Sequence, residues 1–161
     1  MESKKILIMR HGEAANPNHG DSDHSRPLTK EGVESLNRLS ATLHESFIKW
    51  LPEKVYCSDA LRAVQTLNCI KSQWSIKPEV EFCSGFYSKG TDYVIDTATQ
   101  TDDSIGNILL IGHNPVWSSL VAALSSNHLH LSPGNIVFLE KKSSSWTHAL
   151  SGTAWEYKQV L

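Results

Sequence analysis

No stretch of this sequence is apolar for more than five consecutive residues, which falls far short of a membrane span. Met1 to Lys5 is charged, and the run Ile6 to Met9 is too short for the core of a signal peptide, so the expected location is cytoplasmic. An excess of either charge is also missing. Fifteen Lys and Arg against 17 Asp and Glu leave a formal net charge of -2, which gives no electrostatic ground for binding DNA, RNA or anionic membrane. Cysteine is scarce. Cys57, Cys69 and Cys83 are odd in number and lack a framework spacing, so they are expected as small apolar side chains in a reducing compartment. Repeats and Pro- or Gly-rich linkers are lacking too, and Ser143-Ser144-Ser145 reads as a turn. What is there is ordinary: 161 residues, 40% hydrophobic and 20% charged. That fits a single domain over 1–161, able to bury roughly 70% of its unfolded surface without metals or staples.

The apolar pattern alternates between strands and helices. Lys4 to Arg10 is continuously apolar at its centre, as a parallel strand covered on both faces requires. Residues 11–28 have no periodicity and form a long loop, and loops of that length inside compact domains usually carry function. Thr29 is placed to cap a helix, with Glu31 in its first turn, where a carboxylate suits the helix dipole. Val33, Leu36, Leu39, Leu43 and Phe47 then recur at helical spacing to about Trp50. Val55-Tyr56-Cys57 reads as a second strand, and Ser58 as the cap of a helix carrying Leu61, Val64, Leu67 and Ile70. A short strand is expected at Val80 to Phe82 and a modest helix after Asp92. Asn107 to Gly112 is a second clear buried strand. Asn114 as cap and Pro115 at the first helical position then open a helix through Leu124. Ile136 to Leu139 is a further strand, and Trp146 to Leu150 and Ala154 to Val160 are expected as edge strands. This order implies a three-layer α/β/α sandwich with a mostly parallel sheet.

In open α/β sheets, ligands collect beyond the carboxyl ends of the strands. Three strand exits here are unusually polar: Arg10-His11-Gly12-Glu13, then Ser58-Asp59-Ala60-Leu61-Arg62, then Gly112-His113-Asn114-Pro115. Neighbouring strands lie about 4.8 Å apart, so such exits can converge. Two guanidiniums, two imidazoles and two helix N-termini would then face one pocket, which by composition is an anion site. Each residue alone has a duller reading, as a structural hydrogen bonder or a solvated helix side chain. The convergence is what favours chemistry.

These segments resemble the three motifs of the histidine phosphatase (phosphoglycerate mutase-like) superfamily: Arg10-His11-Gly12, the stretch Cys57 to Thr66, and Leu110 to Pro115. The short length, Arg26-Pro27-Leu28-Thr29 before the first long helix and Ser132-Pro133-Gly134 before a strand are most similar to the phosphohistidine phosphatases of the SixA type. The resemblance spans nearly the whole chain. It implies that His11 attacks phosphorus as a neutral imidazole and that Arg10, Arg62 and His113 hold the phosphoryl oxygens. Asn16 and the backbone of Gly12 are further candidate donors. It also implies that no metal or cofactor is needed, since the cations fill that electrostatic role.

The resemblance leaves the acid unassigned. Relatives often carry a Glu after the third strand, where this chain reads Gly85-Phe86-Tyr87-Ser88 with Ser88 at the matching place. Glu13 and Asp92 are the alternatives, the latter more readily a helix cap. A phosphoramidate needs less help than an ester of an alcohol. A weak acid and the absence of large insertions therefore point to phosphohistidine on a protein. The rival readings are a phosphatase of small phosphomonoesters and a module that binds phosphorylated partners without turnover. His19, Asp21, Asp23 and His24 have the composition of a metal site but match no ligand spacing.

Overall fold

The computed structural model describes residues 2–161. Six strands form one sheet: β1 (Ser3–Arg10), β2 (Lys54–Ser58), β3 (Glu79–Cys83), β4 (Asn107–Gly112), β5 (Ile136–Lys142) and β6 (Glu156–Val160). Six helices join them: α1 (Lys30–Ser46), α2 (Leu61–Lys71), α3 (Gly85–Ser88), α4 (Thr91–Thr99), α5 (Val116–Ser125) and α6 (Trp146–Leu150). The strand order is β3-β2-β4-β1-β5-β6. The first four run parallel, and β5 and β6 extend one side antiparallel.

The unbroken apolar strands follow from having both faces covered. Ile6, Ile8 and Leu110 point into one core with Val94 of α4, Trp117 and Leu120 of α5 and Trp146 of α6. Leu7, Met9, Leu109 and Ile111, one residue out of phase, point into the other with Leu36 and Leu43 of α1 and Leu67 and Ile70 of α2. Burying each such aliphatic side chain contributes about 2 kcal/mol. The result is the expected three-layer α/β/α sandwich. At the pole opposite the strand exits, buried Lys4 donates to the carbonyls of Asp103 and Ile105 and lies over the Trp146 ring.

Thr29 caps α1 as expected, its hydroxyl accepting the Gly32 N–H at 2.9 Å. The helix ends at Ser46, and a separate 3-10 turn, Ile48–Trp50, completes the run to Trp50. Asn114 caps α5 through its side chain, which accepts the Ser118 N–H at 3.1 Å, although Pro115 stands at the cap position and Val116 opens the helix. Three readings change. Trp146–Leu150 is helix α6, because the Ser145 hydroxyl accepts the His148 N–H and Asp103, 43 residues away, accepts the Trp146 N–H at 2.7 Å. Asp92 lies in the first turn of α4, and Gly90 is its cap residue. Ser58 does not cap α2, whose cap residue is Ala60. The Ser58 hydroxyl is committed elsewhere.

Candidate active site

The order β2-β4-β1 brings the three polar exits side by side, with Arg10 paired to Gly112 and Cys57 to Ile111 at the ends of the ladders. The backbone of His11 is pinned from three sides. Its N–H donates to Gly112 O at 3.0 Å, and its carbonyl accepts the Gly134 N–H at 2.9 Å. The N–H of the next residue, Gly12, donates to Thr66 Oγ1 at 3.0 Å, and the Thr66 hydroxyl donates in turn to Arg62 O at 2.7 Å. Gly134 reaches over with φ +83°, a conformation that favours glycine.

The His11 ring is fixed as tightly. Its Nδ1 lies 2.7 Å from Gly12 O. A carbonyl can only accept, so Nδ1 carries the proton and Nε2 is left with its lone pair. Arg62 Nε donates to that Nε2 at 3.3 Å. Burial, opposed by the Gly12 hydrogen bond and reinforced by the charges of Arg62, Arg10 and Arg26, pushes the His11 pKa down to about 4. His113 lies with its ring centroid 5.1 Å from that of His11, and its pKa is pushed down to about 3, by burial first and then by His11 and Arg62. Its Nε2 is 2.7 Å from Ser58 Oγ, which also accepts the Ala60 N–H at 3.2 Å. With the Ser58 hydroxyl donating to His113 Nε2, the ring proton falls on Nδ1, the arrangement in which this ring offers a donor to a ligand.

Arg10 donates through Nη1 to Leu131 O at 2.8 Å, and burial followed by the nearby Arg62 charge lowers its pKa. Among the described residues, three buried side-chain nitrogens lack a partner, and two of them are Arg10 Nε and His113 Nδ1. Buried donors are rarely left unmet. Two at the ends of the adjacent strands β1 and β4, beside Arg62 and a neutral imidazole with a free lone pair, make a socket for an oxyanion.

The rim comes from residues that sequence reasoning did not place here. Asp23, in a 3-10 turn (Asp23–Ser25), accepts Arg26 Nη1 on Oδ1 at 2.9 Å. Its Oδ2 accepts Arg62 Nη2 at 3.1 Å and the Tyr87 hydroxyl at 2.8 Å, and its carbonyl accepts Arg62 Nη1 at 2.8 Å. Hydrogen bonds from Arg26 and Tyr87, then Arg62, hold the Asp23 carboxyl well below the usual carboxylate range. The Tyr87 ring packs edge-on against His113, centroids 5.5 Å apart, and lies 5.9 Å from the Arg62 guanidinium carbon. Gln65 accepts the Leu28 N–H at 2.8 Å and ties the end of the loop to α2. One signal was available for Thr66: it stands four residues after Arg62, hence on the same helix face.

Three guanidiniums and two neutral imidazoles around one socket suit phosphoryl chemistry, and known proteins agree. Residues 6–83 match the model of the histidine phosphatase superfamily (branch 1). The phosphohistidine phosphatase SixA of Escherichia coli is 30% identical over 122 residues, covering 74% of this chain and 73% of its own. The chain belongs to the histidine phosphatase superfamily. Solved members share its fold. The structure of the protein histidine phosphatase SixA complexed with tungstate has a TM-score of 0.76 over 98% of this chain and 96% of that one, at 23% identity. A phosphoglycerate mutase from Plasmodium falciparum has a TM-score of 0.66 over 99% and 91%, at 18% identity.

The other candidates in this histidine phosphatase are exposed or already engaged. Asn16 is exposed in the 11–28 loop. The Gly12 N–H is used by Thr66 and is not free for a ligand. Glu13 is exposed and accepts the Thr29 hydroxyl at 2.9 Å, so it braces the start of α1. Asp92 and Ser88 are both exposed. The four polar residues of the loop diverge: His19 and Asp21 face solvent, Asp23 binds Arg62, and His24 pairs with Asp59 at 3.0 Å.

Proposed function

We propose that this histidine phosphatase takes a phosphoryl group onto His11 Nε2 and passes it to water, and that its substrate is phosphohistidine displayed on a protein. The observation that carries the first half is the His11 ring: neutral, with its proton held on Nδ1 by Gly12 and its nucleophilic Nε2 facing Arg62. An incoming phosphoryl oxygen takes over the Arg62 Nε hydrogen bond and frees the Nε2 lone pair. Arg10 Nε and His113 Nδ1, both without partners, then gain acceptors as charge spreads over the equatorial oxygens. Attack forms the Nε2–P bond and breaks the bond to the leaving group. The His11 ring, still protonated on Nδ1, becomes a phosphorylated imidazolium. Water then attacks phosphorus, the P–N bond breaks, and its electron pair returns to Nε2 as phosphate leaves. A related SixA structure is a complex with tungstate, an oxyanion of the same shape as phosphate, which is in keeping with phosphoryl chemistry on this fold.

The substrate half rests on the leaving-group side. Glu13 braces α1, Asp92 lies in the first turn of α4, and Asp23 is held ionised, so none of these three offers a proton to a departing alkoxide. A phosphoimidazole already protonated on its second nitrogen releases a neutral imidazole without one. The test is a pulse of phosphorylated histidine domain labelled with 32P, followed by a denaturing quench. Acid-labile, base-stable label on the wild type and none on His11→Ala is the expected result. A catalytically active protein that never carries such label would overturn the mechanism. Faster turnover of sugar or nucleotide phosphates than of the phosphorylated domain would overturn the substrate, and binding without turnover would favour a recognition module.

A further inference from the structure

A socket for a doubly negative phosphoryl group gains nothing from a carboxylate at its edge. Asp23 is nevertheless there, held by four hydrogen bonds, counting its carbonyl, from Arg26, Arg62 and Tyr87. It lies one guanidinium away from the nucleophile: Arg62 reaches His11 Nε2 with Nε at 3.3 Å and Asp23 Oδ2 with Nη2 at 3.1 Å. Its position relative to the reaction axis follows from burial. His11, Arg62 and His113 are 8%, 6% and 9% exposed and close the inner side, whereas the Asp23 side chain is 51% exposed. In-line displacement sends the leaving group away from His11 Nε2, which here means outward, past Asp23 and Tyr87. The Asp23 oxygens are unevenly used. Oδ2 accepts two hydrogen bonds and Oδ1 accepts one, so Oδ1 keeps a lone pair.

We propose that Asp23 is a substrate-contacting residue for the leaving group, accepting through Oδ1 the ring N–H of a phosphorylated imidazole that lies against the Tyr87 ring. This rests on the phosphohistidine reading and gives it a cause. A phosphoimidazole is labile when its second nitrogen is protonated, because the P–N electron pair then returns to a cationic ring and a neutral imidazole departs. No proton moves in that step. A fixed carboxylate stabilises the protonated ring, and each pKa unit it adds raises the protonated fraction up to about tenfold when the ring is mostly neutral. The same charge opposes a departing alkoxide and has no proton to give it. One residue thereby favours phosphoramidates and disfavours esters.

Asp23→Asn tests the charge while keeping an oxygen that can accept from Arg62. For wild type and variant, kcat/KM is measured on phosphoimidazole and on p-nitrophenyl phosphate, using the same preparation so that any loss of folded protein cancels in the ratio. The expected result is a fall of about tenfold or more in the phosphoimidazole-to-ester ratio, over and above any loss that a loosened Arg62 imposes on both substrates alike. Asp23→Glu, which keeps the charge, should retain the wild-type ratio within about threefold. A ratio unchanged in Asp23→Asn, with both substrates slowed equally, overturns the inference, because Asp23 would then act only by holding Arg62. A wild type that prefers the ester overturns the phosphohistidine reading itself, and this inference with it.

Discussion

Replacing His11 by Asn removes a titrating group that the fold holds neutral, and the effect on stability follows from its environment. The ring has a pKa of about 4 when folded and takes its ordinary value of 6.5 when the chain unfolds. Because the folded value is the lower one, the unfolded chain binds the proton first as pH falls. Stability is then lost between pH 6.5 and pH 4, and is fully present above that window. At pH 7.5 the loss is almost nil. At pH 4.5 the unfolded ring is nearly all protonated and the folded ring mostly is not, which costs the wild type about 2–3 kcal/mol. Asn cannot titrate, so the variant escapes this loss. Urea unfolding of both proteins at pH 7.5 and 4.5 reads the effect as a difference of differences. The wild type should lose about 2–3 kcal/mol more than His11→Asn on acidification. Parallel losses, agreeing within about 0.5 kcal/mol, would refute the reasoning, because His11 would then bind protons equally in both states and could not be the buried neutral nucleophile.

Ser58→Ala deprives His113 Nε2 of its buried partner; kcat should fall about 10- to 100-fold with little change in KM, since the ring is no longer held in place beside the bound phosphoryl group. Thr66→Val leaves the buried Gly12 N–H without an acceptor and should cost about 1–3 kcal/mol in denaturant unfolding. Gly134→Ala places a Cβ at φ +83° with only ordinary contact to Leu36, so the cost should be the backbone term alone, about 1–2 kcal/mol by thermal unfolding. Tungstate should inhibit competitively in steady-state assays, and Arg62→Ala should weaken that inhibition.

Much of the fold was legible because its signals are local. The runs Ile6–Met9 and Ile108–Ile111 specify strands covered on both faces, and Thr29 and Asn114 act as caps within four residues of themselves. Trp146–Leu150 was not legible, since a helix of five residues shows no period and the carboxylate that starts it belongs to Asp103. Ser58 illustrates the same limit inside the site. Its place before a helix suggests a cap, whereas its hydroxyl turns to a histidine 55 residues away.

The sequence by itself determined that Arg10, His11, Arg62 and His113 would share one edge of the sheet, because each stands at or within four residues of the end of an apolar strand and parallel strands end on one side. Only the tertiary structure decided the protonation of the two imidazoles and the company they keep. Those depend on burial and on partners such as Gly12 O, Ser58 and the Asp23–Arg62 pair, and electrostatics act through space between groups that the chain order leaves far apart.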